Sequence, residues 1–353
     1  MRLRAPVGEV TRAVGAAADA VRTEAPARVA AGLLEVLVGS LGADGGALML
    51  MDPETLLFST GAVDRLPAAC CHPFFTSELD EAGARTFRRL ASSNAPATAV
   101  FAREPEADAF GRDVLLPFGY DAELRAVCRD AGAAWAGVSL WRRSGASAFS
   151  GDYVRALDAV TPLVGRALRD AVLRSFLDAR TVPRVQGVVL LEGGRVVEAS
   201  PEARAMLKEI DDPATVDYRP LDHLLAVARR DSRFSTVVGG SDGRWITAHG
   251  TALSPDRTAV VLTSSTPADL FGTLVAGAGL TAREVEVTRL LCRGLTDSEI
   301  AAELTISQHT AHDHVRSVRR KLGVRSRAEV ASRIFADHYL DRFLADAAVS
   351  HAP

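Results

Sequence analysis

Apolar residues recur at helical spacing near both ends of the first 180 positions. Leucines repeat at steps of three and four within 9–41, which predicts a helix that Pro26 breaks or kinks. A second apolar stripe extends from Ser150 to about Ala179 and predicts a long helix with a kink at Pro162. Long helices are therefore expected on either side of the intervening residues.

The region between those helices contains short apolar runs that predict strands. The runs 46–52 and 55–61 predict two strands joined by a turn at Asp52-Pro53. An uncharged run over 133–141 predicts a buried strand, whereas residues 62–130 follow no single periodicity. Together these elements predict a small α/β domain.

Residues 181–266 show a different pattern, in which strands alternate with short helices. The segment 187–200 predicts a hairpin with Gly193-Gly194 as its turn. Two short helical patterns and further strands follow, at 201–210, 221–230, 234–253 and 258–265. This order predicts a second, smaller domain of the α+β class.

A short helix and a glycine-rich hinge are predicted over 267–279, and the chain after them is predicted to be helical. Cap residues mark the start of each of the helices that follow. Three pairs have the spacing of a capping box, namely Thr281 with Glu284, Thr296 with Glu299, and Ser326 with Glu329. Ser307 caps the remaining helix, with Thr310 three residues later. Gly294 and Gly323 stand where helix ends favour a left-handed residue. Four short helices are therefore predicted.

The second and third of these helices are separated by only a few residues around 305–307. This is the helix-turn-helix arrangement, which places its second helix in the major groove of DNA. The third helix has an apolar stripe on one side, formed by Ala311, Val315, Val318 and Leu322. The residues predicted to contact DNA are Ser307, Gln308, His309, Thr310, His312, Asp313, Arg316, Arg319, Arg320, Lys321 and Arg325.

Charge supports this prediction. From Arg316 through Arg327 there are six basic residues and no acidic residue, a pattern that favours phosphate binding. A solvated helix end, where cations interact favourably with the helix dipole, is the alternative for the charge alone. The closely spaced helix pair in front of it favours DNA binding.

Length and pattern together predict several domains. The chain has 353 residues, against a single-domain size of roughly 100–200. The expected segments are a first domain over 1–180 and a second domain over 181–266. They are followed by a short helix and hinge over 267–279, a helical domain over 280–340 and a tail over 341–353. The expected class is multidomain α+β, with an α/β first domain, an α+β middle domain and an all-α four-helix C-terminal domain.

Composition excludes several classes of function. The net charge is −3, so DNA binding cannot come from an overall positive charge. Only two of the 41 basic residues are lysines, Lys208 and Lys321, and neither stands in the Gly-Lys-Ser/Thr step of a phosphate-binding loop. The motifs of zinc proteases, serine hydrolases and dinucleotide enzymes are also absent. We therefore expect no enzymatic activity.

Cysteine usage and hydropathy indicate a protein of the cytoplasm. The four cysteines include no CxxC pair, so we expect reduced thiols, no metal site and no cofactor. No apolar stretch approaches the roughly 20 residues of a membrane-spanning helix. The first 15 positions have no apolar signal region. No membrane partner is expected.

Residues 280–330 resemble the helix-turn-helix domain of LuxR/NarL-type bacterial transcription regulators. The matching positions are Leu280-Thr281, Arg283-Glu284, Gly294-Leu295, Glu299-Ile300-Ala301, Leu304, Ile306-Ser307, Thr310, His314-Val315, Lys321-Leu322-Gly323-Val324 and Arg327. The resemblance implies that the third helix is the recognition helix and that the fourth, over 326–337, helps to form a dimer. It also implies base contacts from His312, Asp313 and Arg316.

Some residues depart from the family pattern. The family usually has asparagine at Asp297 and valine at Ala311, and often lysine or arginine at His309 and His312. An aspartate such as Asp313 accepts a hydrogen bond from a cytosine amino group but repels phosphate. An altered sequence preference is therefore expected.

The upstream domains resemble sensor domains. Residues 52–61, 74–82, 115–143 and 149–168 resemble GAF-type domains of actinobacterial regulators, and residues 187–209 and 243–253 resemble PAS-like domains. These resemblances imply that a small-molecule effector binds or that a signal is transmitted. Cys128 and Trp135 are candidate ligand contacts, and packing in the core is the alternative for both.

The sequence thus predicts a homodimeric transcription regulator that binds a pseudo-palindromic site in double-stranded DNA and responds to an unidentified effector. RNA polymerase is a further expected partner. The alternative is a ligand-binding dimer whose helical domain contacts protein, which Asp297, Ala311 and Asp313 favour. His309 and His312 are expected to be polar DNA contacts rather than metal ligands, and a pH-dependent DNA affinity is a further hypothesis.

Overall fold

A computed structural model gives the fold. It describes residues 6–67, 70–80, 85–93, 96–101, 111–146, 148–178, 185–193, 195–210, 220–240, 244–266 and 269–331. The predicted tail over 341–353 and the end of the fourth predicted helix, 332–337, lie outside these ranges. The chain forms two compact units, of which the first holds two β-sheets and the second holds the C-terminal helices.

Two helices precede the first sheet, α1 (Val7–Ala20) and α2 (Pro26–Ser40). Pro26 is the first residue of α2, where its missing amide hydrogen costs no helical hydrogen bond. The predicted break at Pro26 is therefore confirmed. Leu33, Leu34 and Leu37 of α2 are buried, as their spacing predicts.

The first sheet has five strands in the spatial order β2-β1-β5-β4-β3. The strands are β1 (Gly45–Met51), β2 (Phe58–Asp64), β3 (Thr98–Phe101), β4 (Tyr120–Asp130) and β5 (Ala133–Arg143). Strand β1 pairs antiparallel with both β2 and β5, and β3 pairs antiparallel with β4. Every residue of β1 is buried.

The second strand begins later than predicted. We expected it over 55–61, but β2 begins at Phe58. The reason is a longer turn around Asp52, whose carboxylate accepts hydrogen bonds from the Glu54 amide at 3.1 Å and the Thr55 hydroxyl at 2.8 Å. These bonds hold the residues after Asp52 in a turn instead of a strand.

Two short helices and one long helix accompany the sheet: α3 (Cys71–Glu78), α4 (Phe87–Ser93) and α5 (Gly151–Asp178). The long helix α5 is confirmed and continues through Pro162. Arg125 of β4 is fully buried and pairs with Glu78 of α3 and with Glu123 at 2.9 Å. Buried charges of this kind interrupt the apolar pattern, which is why 62–130 predicted no elements.

The second sheet also has five strands, in the spatial order β7-β6-β10-β9-β8. All four pairings are antiparallel. Its strands are β6 (Gln186–Glu192), β7 (Arg195–Ala199), β8 (Arg233–Gly239), β9 (Trp245–Ser254) and β10 (Arg257–Ser264). Two helices, α6 (Pro201–Ile210) and α7 (Pro220–Arg230), connect β7 to β8. The hairpin and the short helices predicted for this region are confirmed.

The second unit is helical. Its helices are α8 (Phe271–Gly277), α9 (Ala282–Cys292), α10 (Asp297–Glu303), α11 (Gln308–Leu322) and α12 (Arg327–Ala331). The first helix and the four that follow it were all predicted, and α12 is described only as far as Ala331. Across the described ranges, no helix is long and apolar enough to cross a membrane.

A buried histidine lies in the first unit where α7 packs on the first sheet. His223 is 0% exposed, and its ring lies 5.7 Å from that of Phe58 and 5.2 Å from that of Phe75, measured between centroids. Within the described residues neither ring nitrogen has a hydrogen-bond partner. A cleft of about 10 Å³ beside the ring has room for one water molecule. Burial lowers the pKa of His223 to about 3.

We expect the first unit to lose stability as the pH falls below about 6.5. The unfolded chain then binds a proton at His223 that the folded protein does not bind until about pH 3. The loss from this group amounts to about 1.4 kcal/mol per pH unit. Urea unfolding followed by tryptophan fluorescence measures it, since Trp135, Trp141 and Trp245 all lie in the strands of this unit.

The variant His223→Leu is expected to remove this part of the pH slope. At pH 7 its stability should equal or exceed that of the parent, because the replaced ring nitrogens make no hydrogen bond to any described residue. His249→Leu, at an exposed position of β9, is the matched control and should keep the slope. Equal slopes between pH 6 and pH 4 for the parent and His223→Leu would contradict the prediction.

Candidate nucleic-acid interface

Side-chain caps begin α9, α10 and α11 of the second unit. Thr281 Oγ1 accepts a hydrogen bond from the Glu284 amide, and the Glu284 carboxylate accepts one from the Thr281 amide. The same capping box begins α10. Ser307 Oγ accepts from the Thr310 amide at 3.1 Å and begins α11. These predicted caps are confirmed, and they fix the first residue of each helix.

The third predicted capping box, at Ser326 and Glu329, differs in one bond. The Glu329 amide donates to Ser326 Oγ at 3.2 Å, as the spacing predicts. The Glu329 carboxylate, however, accepts from the Arg325 amide at 2.7 Å, one residue before the position that a capping box requires. The start of α12 is still capped by both side chains.

The turn between α10 and α11 is tight. The Ile306 amide donates to the Ala301 carbonyl at 2.9 Å and closes the end of α10. Thr305 has a φ of 55°, a left-handed conformation that is unfavourable for a β-branched residue. Packing of Leu304 and Ile306 on the helical core offsets this strain. The predicted helix-turn-helix pair is confirmed.

One face of α11 is buried. Ala311, Val315 and Val318 are 0–4% exposed and pack in one cluster with Val287 of α9 and Ile300 of α10. These positions are the apolar stripe that the sequence predicts, and Leu322 is half-buried at its end. Burial of this stripe turns the opposite side of α11 to solvent.

The exposed face carries most of the predicted DNA contacts. Exposed residues on or beside α11 are Ser307, Gln308, His309, Thr310, His312, Asp313, Arg316, Arg320 and Arg325. Positions 309, 312, 313, 316 and 320 follow the spacing of a single helix face. The Arg316 side chain makes no hydrogen bond or ion pair within the described part of the chain. His309 Nε2 lies 3.6 Å from Asp313 Oδ2.

Two of the predicted DNA contacts are engaged inside the unit. Lys321 Nζ donates to Glu284 Oε2 at 2.6 Å and to the Gly279 carbonyl at 2.9 Å. Arg319 donates through Nη2 to the Arg325 carbonyl. Both side chains are half-buried. Their charges hold the C-terminal end of α11 in place, a role that the sequence spacing did not indicate.

Glu284 is the centre of these bonds. Its carboxylate accepts from Lys321 Nζ, from Ser317 Oγ at 2.7 Å and from the Thr281 amide at 2.7 Å. Burial by itself raises the pKa of Glu284, but these hydrogen bonds outweigh it and lower the pKa to about 2. The carboxylate is therefore ionised at neutral pH and ties the start of α9 to α11.

Asp297 makes a second connection between helices. Its Oδ2 lies 2.9 Å from Nδ1 of His312, and its Oδ1 accepts from Nη1 of Arg327. Burial raises the pKa of Asp297, but the bonds from His312 and Arg327 hold it below its usual range. The sequence marked Asp297 as a departure from the family pattern, and it gave no indication of these partners.

The proposed ligand contacts of the first unit lie in its core. Cys128 is 0% exposed, and burial raises the pKa of its thiol to about 12. Trp135 is 1% exposed, and its Nε1 donates to the Asp130 carbonyl at 3.1 Å. Burial also raises the pKa of the Cys70 thiol, to about 11. These thiols are protonated at neutral pH and therefore weak nucleophiles.

We expect Glu284→Gln to lose roughly 3 kcal/mol of local stability at pH 7, because it removes an ionised acceptor from Lys321 and Ser317. The folded pKa of about 2 lies below the ordinary 4.5, so this stabilisation is present above pH 4.5 and is lost as the pH falls toward 2. Hydrogen exchange of the α11 amides, compared between parent and variant at each pH, measures it.

The exposed pair between Arg283 and Glu286 gives the control, since its atoms lie 2.6 Å apart but in solvent. Glu286→Gln should change α11 protection by less than about 1 kcal/mol. An effect of Glu284→Gln at pH 7 no larger than that of this control, or an effect at pH 3 as large as at pH 7, would contradict the role of the ionised carboxylate.

Comparisons with known proteins identify the helical part. Residues 278–334 match the family model of bacterial regulatory proteins of the luxR family. Spore germination protein GerE of Bacillus subtilis is 46% identical over 50 residues, which are 14% of this chain and 68% of GerE. Transcriptional regulatory protein UhpA of Escherichia coli is 45% identical over 56 residues, 16% of this chain and 29% of UhpA. The chain thus spans less than a third of the length of UhpA.

One solved structure aligns with about half of the chain. The GAF domain of a phosphoenolpyruvate-protein phosphotransferase from Coxiella burnetii aligns at 10% identity and a TM-score of 0.34, over 49% of this chain and 98% of that domain. A TM-score this low supports no assignment, so the family follows from the sequence matches to the luxR family model and to GerE. Since these extend over two thirds of GerE, the chain belongs to the luxR family of bacterial regulatory proteins.

Proposed function

We propose that the protein is a sequence-specific DNA-binding transcription regulator that acts as a homodimer on a pseudo-palindromic site. The observation that supports this most strongly is the exposed face of α11, where His312, Asp313 and Arg316 lie together on a capped helix whose other face is buried. A helix of this kind fits the major groove, where side chains reach base edges. Membership of the luxR family supports the same function.

Each exposed side chain suits a different part of DNA. The guanidinium of Arg316, which has no partner among the described residues, can bind O6 and N7 of guanine with two parallel hydrogen bonds. Asp313 can accept a hydrogen bond from the amino group of cytosine. Arg320 and Arg325 lie further along the chain and suit phosphates. The start of α11, after the Ser307 cap, also favours a phosphate, because the first backbone amides of a helix point toward its N-terminal end.

A dimer is proposed because one recognition helix contacts only a few base pairs. Two copies related by a two-fold axis contact half-sites about one turn of DNA apart, which gives a pseudo-palindromic site. The resemblance to the family implies that α12 contributes to this dimer. Arg327, its first residue, is anchored to α10 through Asp297 and to the Leu295 carbonyl.

The first unit is proposed to receive a small-molecule signal and to change the DNA affinity of the second. Cys128 and Trp135 remain the proposed ligand contacts, and a ligand reaches either only if the core opens, since both side chains are buried. RNA polymerase is a further proposed partner of the DNA-bound protein.

A helical domain that contacts protein is the competing proposal, and two of its three supports are weakened. Ala311 is buried, so it contacts neither DNA nor a protein partner. The Asp297 carboxylate is paired with the charge of Arg327 and bonded to Nδ1 of His312, so it repels phosphate less than a free carboxylate. Only Asp313 remains, and a cytosine amino group is a suitable partner for it.

We expect Arg316→Ala to cost about 1–3 kcal/mol in binding to a selected DNA site and to relax preference at one base pair. Arg320→Ala should weaken binding to all sequences about equally and reduce the slope of log affinity against log salt by about 1. Fluorescence anisotropy of the full chain on a selected and a scrambled duplex, over a range of salt, measures both effects.

Arg155→Ala removes one exposed arginine from α5 and is the control for net charge. It should leave both the affinity and the salt slope unchanged. An unchanged affinity of Arg316→Ala for the selected site would remove Arg316 from the base contacts. Binding that does not depend on salt would favour the protein-contacting alternative.

A further inference from the structure

Asp297 connects three helices at the edge of the proposed DNA-binding face. It is the first residue of α10, His312 lies in the second turn of α11, and Arg327 is the first residue of α12. Arg327 occupies one carboxylate oxygen of Asp297, and Nδ1 of His312 lies 2.9 Å from the other. The Asp297 side chain is 20% exposed and the His312 side chain 61% exposed. His312 is therefore held at one ring edge and open to solvent elsewhere.

The hydrogen bond between His312 and Asp297 has only one possible direction, with His312 as donor. An ionised carboxylate accepts hydrogen bonds and donates none. Asp297 is ionised at neutral pH, since its two partners hold its pKa below the usual range. The proton in this bond must therefore lie on Nδ1 of His312. In a neutral imidazole only one nitrogen carries a hydrogen, so Nε2 is left with a free lone pair.

The position of Nε2 gives this tautomer a consequence for DNA. His312 lies on the same helix face as Arg316, one turn before it, and points its free ring edge away from the bond to Asp297. An acceptor in the major groove is complementary to the amino groups of adenine and cytosine. Guanine and thymine present acceptors on the same edge and leave the Nε2 lone pair without a donor.

We propose that Asp297 is a positioning residue that fixes His312 in the Nδ1-protonated form, so that His312 accepts a hydrogen bond from adenine or cytosine and rejects guanine and thymine at one position of the contacted strand. The proposal rests on the proposed function, since it concerns the sequence preference of α11. It assigns Asp297 a role in specificity without any contact to DNA.

Neighbouring charges do not provide an alternative orientation for the ring. Asp297 faces His312 from α10, and Arg327 pairs with the other carboxylate oxygen of Asp297. Asp313 and Arg316 lie beside His312 on α11. Asp313 is directed to His309 instead, since its Oδ2 lies 3.6 Å from Nε2 of His309. Asp297 is therefore the side chain that orients His312 among the described residues.

The first half of the test measures the tautomer without DNA. The full chain is labelled with ¹⁵N-histidine, and its ring nitrogens are observed by NMR at pH 8, with His312→Gln used to identify the His312 signals. The expected result is a protonated Nδ1 and an unprotonated Nε2 at His312. Asp297→Asn should lose this preference, because an asparagine amide donates as well as accepts. A parent protein with the proton on Nε2 would overturn the proposal.

Arg327→Lys is the matched control for a merely structural effect. It disturbs the second partner of Asp297 but keeps the carboxylate beside His312. The tautomer should remain as in the parent. If Arg327→Lys alters the tautomer as much as Asp297→Asn does, packing of the helices determines it and the proposal is overturned.

The second half measures base preference by selection from random DNA at pH 8. The position that His312→Gln alters identifies the His312 contact. The parent and Arg327→Lys should accept adenine and cytosine there, whereas Asp297→Asn should reduce this preference by at least about fivefold and leave other positions unchanged.

Three outcomes of the selection contradict the proposal in different ways. A parent preference for guanine or thymine at that position overturns it, and so does an unchanged preference in Asp297→Asn. Both results would leave the proposed DNA-binding function intact. If the parent selects no sequence at all, the proposed function itself is overturned and this proposal with it.

Discussion

The ionised carboxylate of Glu284 determines how α11 sits in the helical unit. Its two oxygens accept hydrogen bonds from the cap of α9 and from Ser317 and Lys321 of α11. Because all these bonds end on one buried group, the start of α9 and the last turns of α11 are fixed relative to each other. With Val315 and Val318 buried in the core, the opposite face of α11 then has one orientation toward solvent.

This arrangement divides the basic residues of the helical unit between two tasks. Lys321, Arg319 and Arg327 donate hydrogen bonds within the unit and stabilise its fold. Arg316 and Arg320 remain on the exposed face, next to histidines that have aspartate partners. The local positive charge is therefore modest, which fits a chain with a net charge of −3. Such a surface depends on matched hydrogen bonds more than on bulk attraction to phosphate.

Local sequence signals predicted most of the helical unit, because caps, stop glycines and the stripe of α11 act over three or four residues. They could not predict the partners of Lys321 or Asp297, because these lie far away in the chain. Glu284 is 37 positions from Lys321, and Arg327 and His312 are 30 and 15 positions from Asp297. The same limit explains the error in the first unit, where β2 begins three residues later than predicted because the Asp52 side chain extends the preceding turn. It also explains His223, whose burial follows from packing of α7 on the first sheet.

Selection of fragmented genomic DNA by the full chain is the sharpest test of whether α11 contacts bases. It is run over a range of salt beside a variant with both Arg316→Ala and Arg320→Ala. If α11 contacts bases, the parent enriches one motif with two-fold symmetry and the variant does not enrich it. Enrichment of the same motif by the variant, or no enrichment by the parent at any salt concentration, would contradict it.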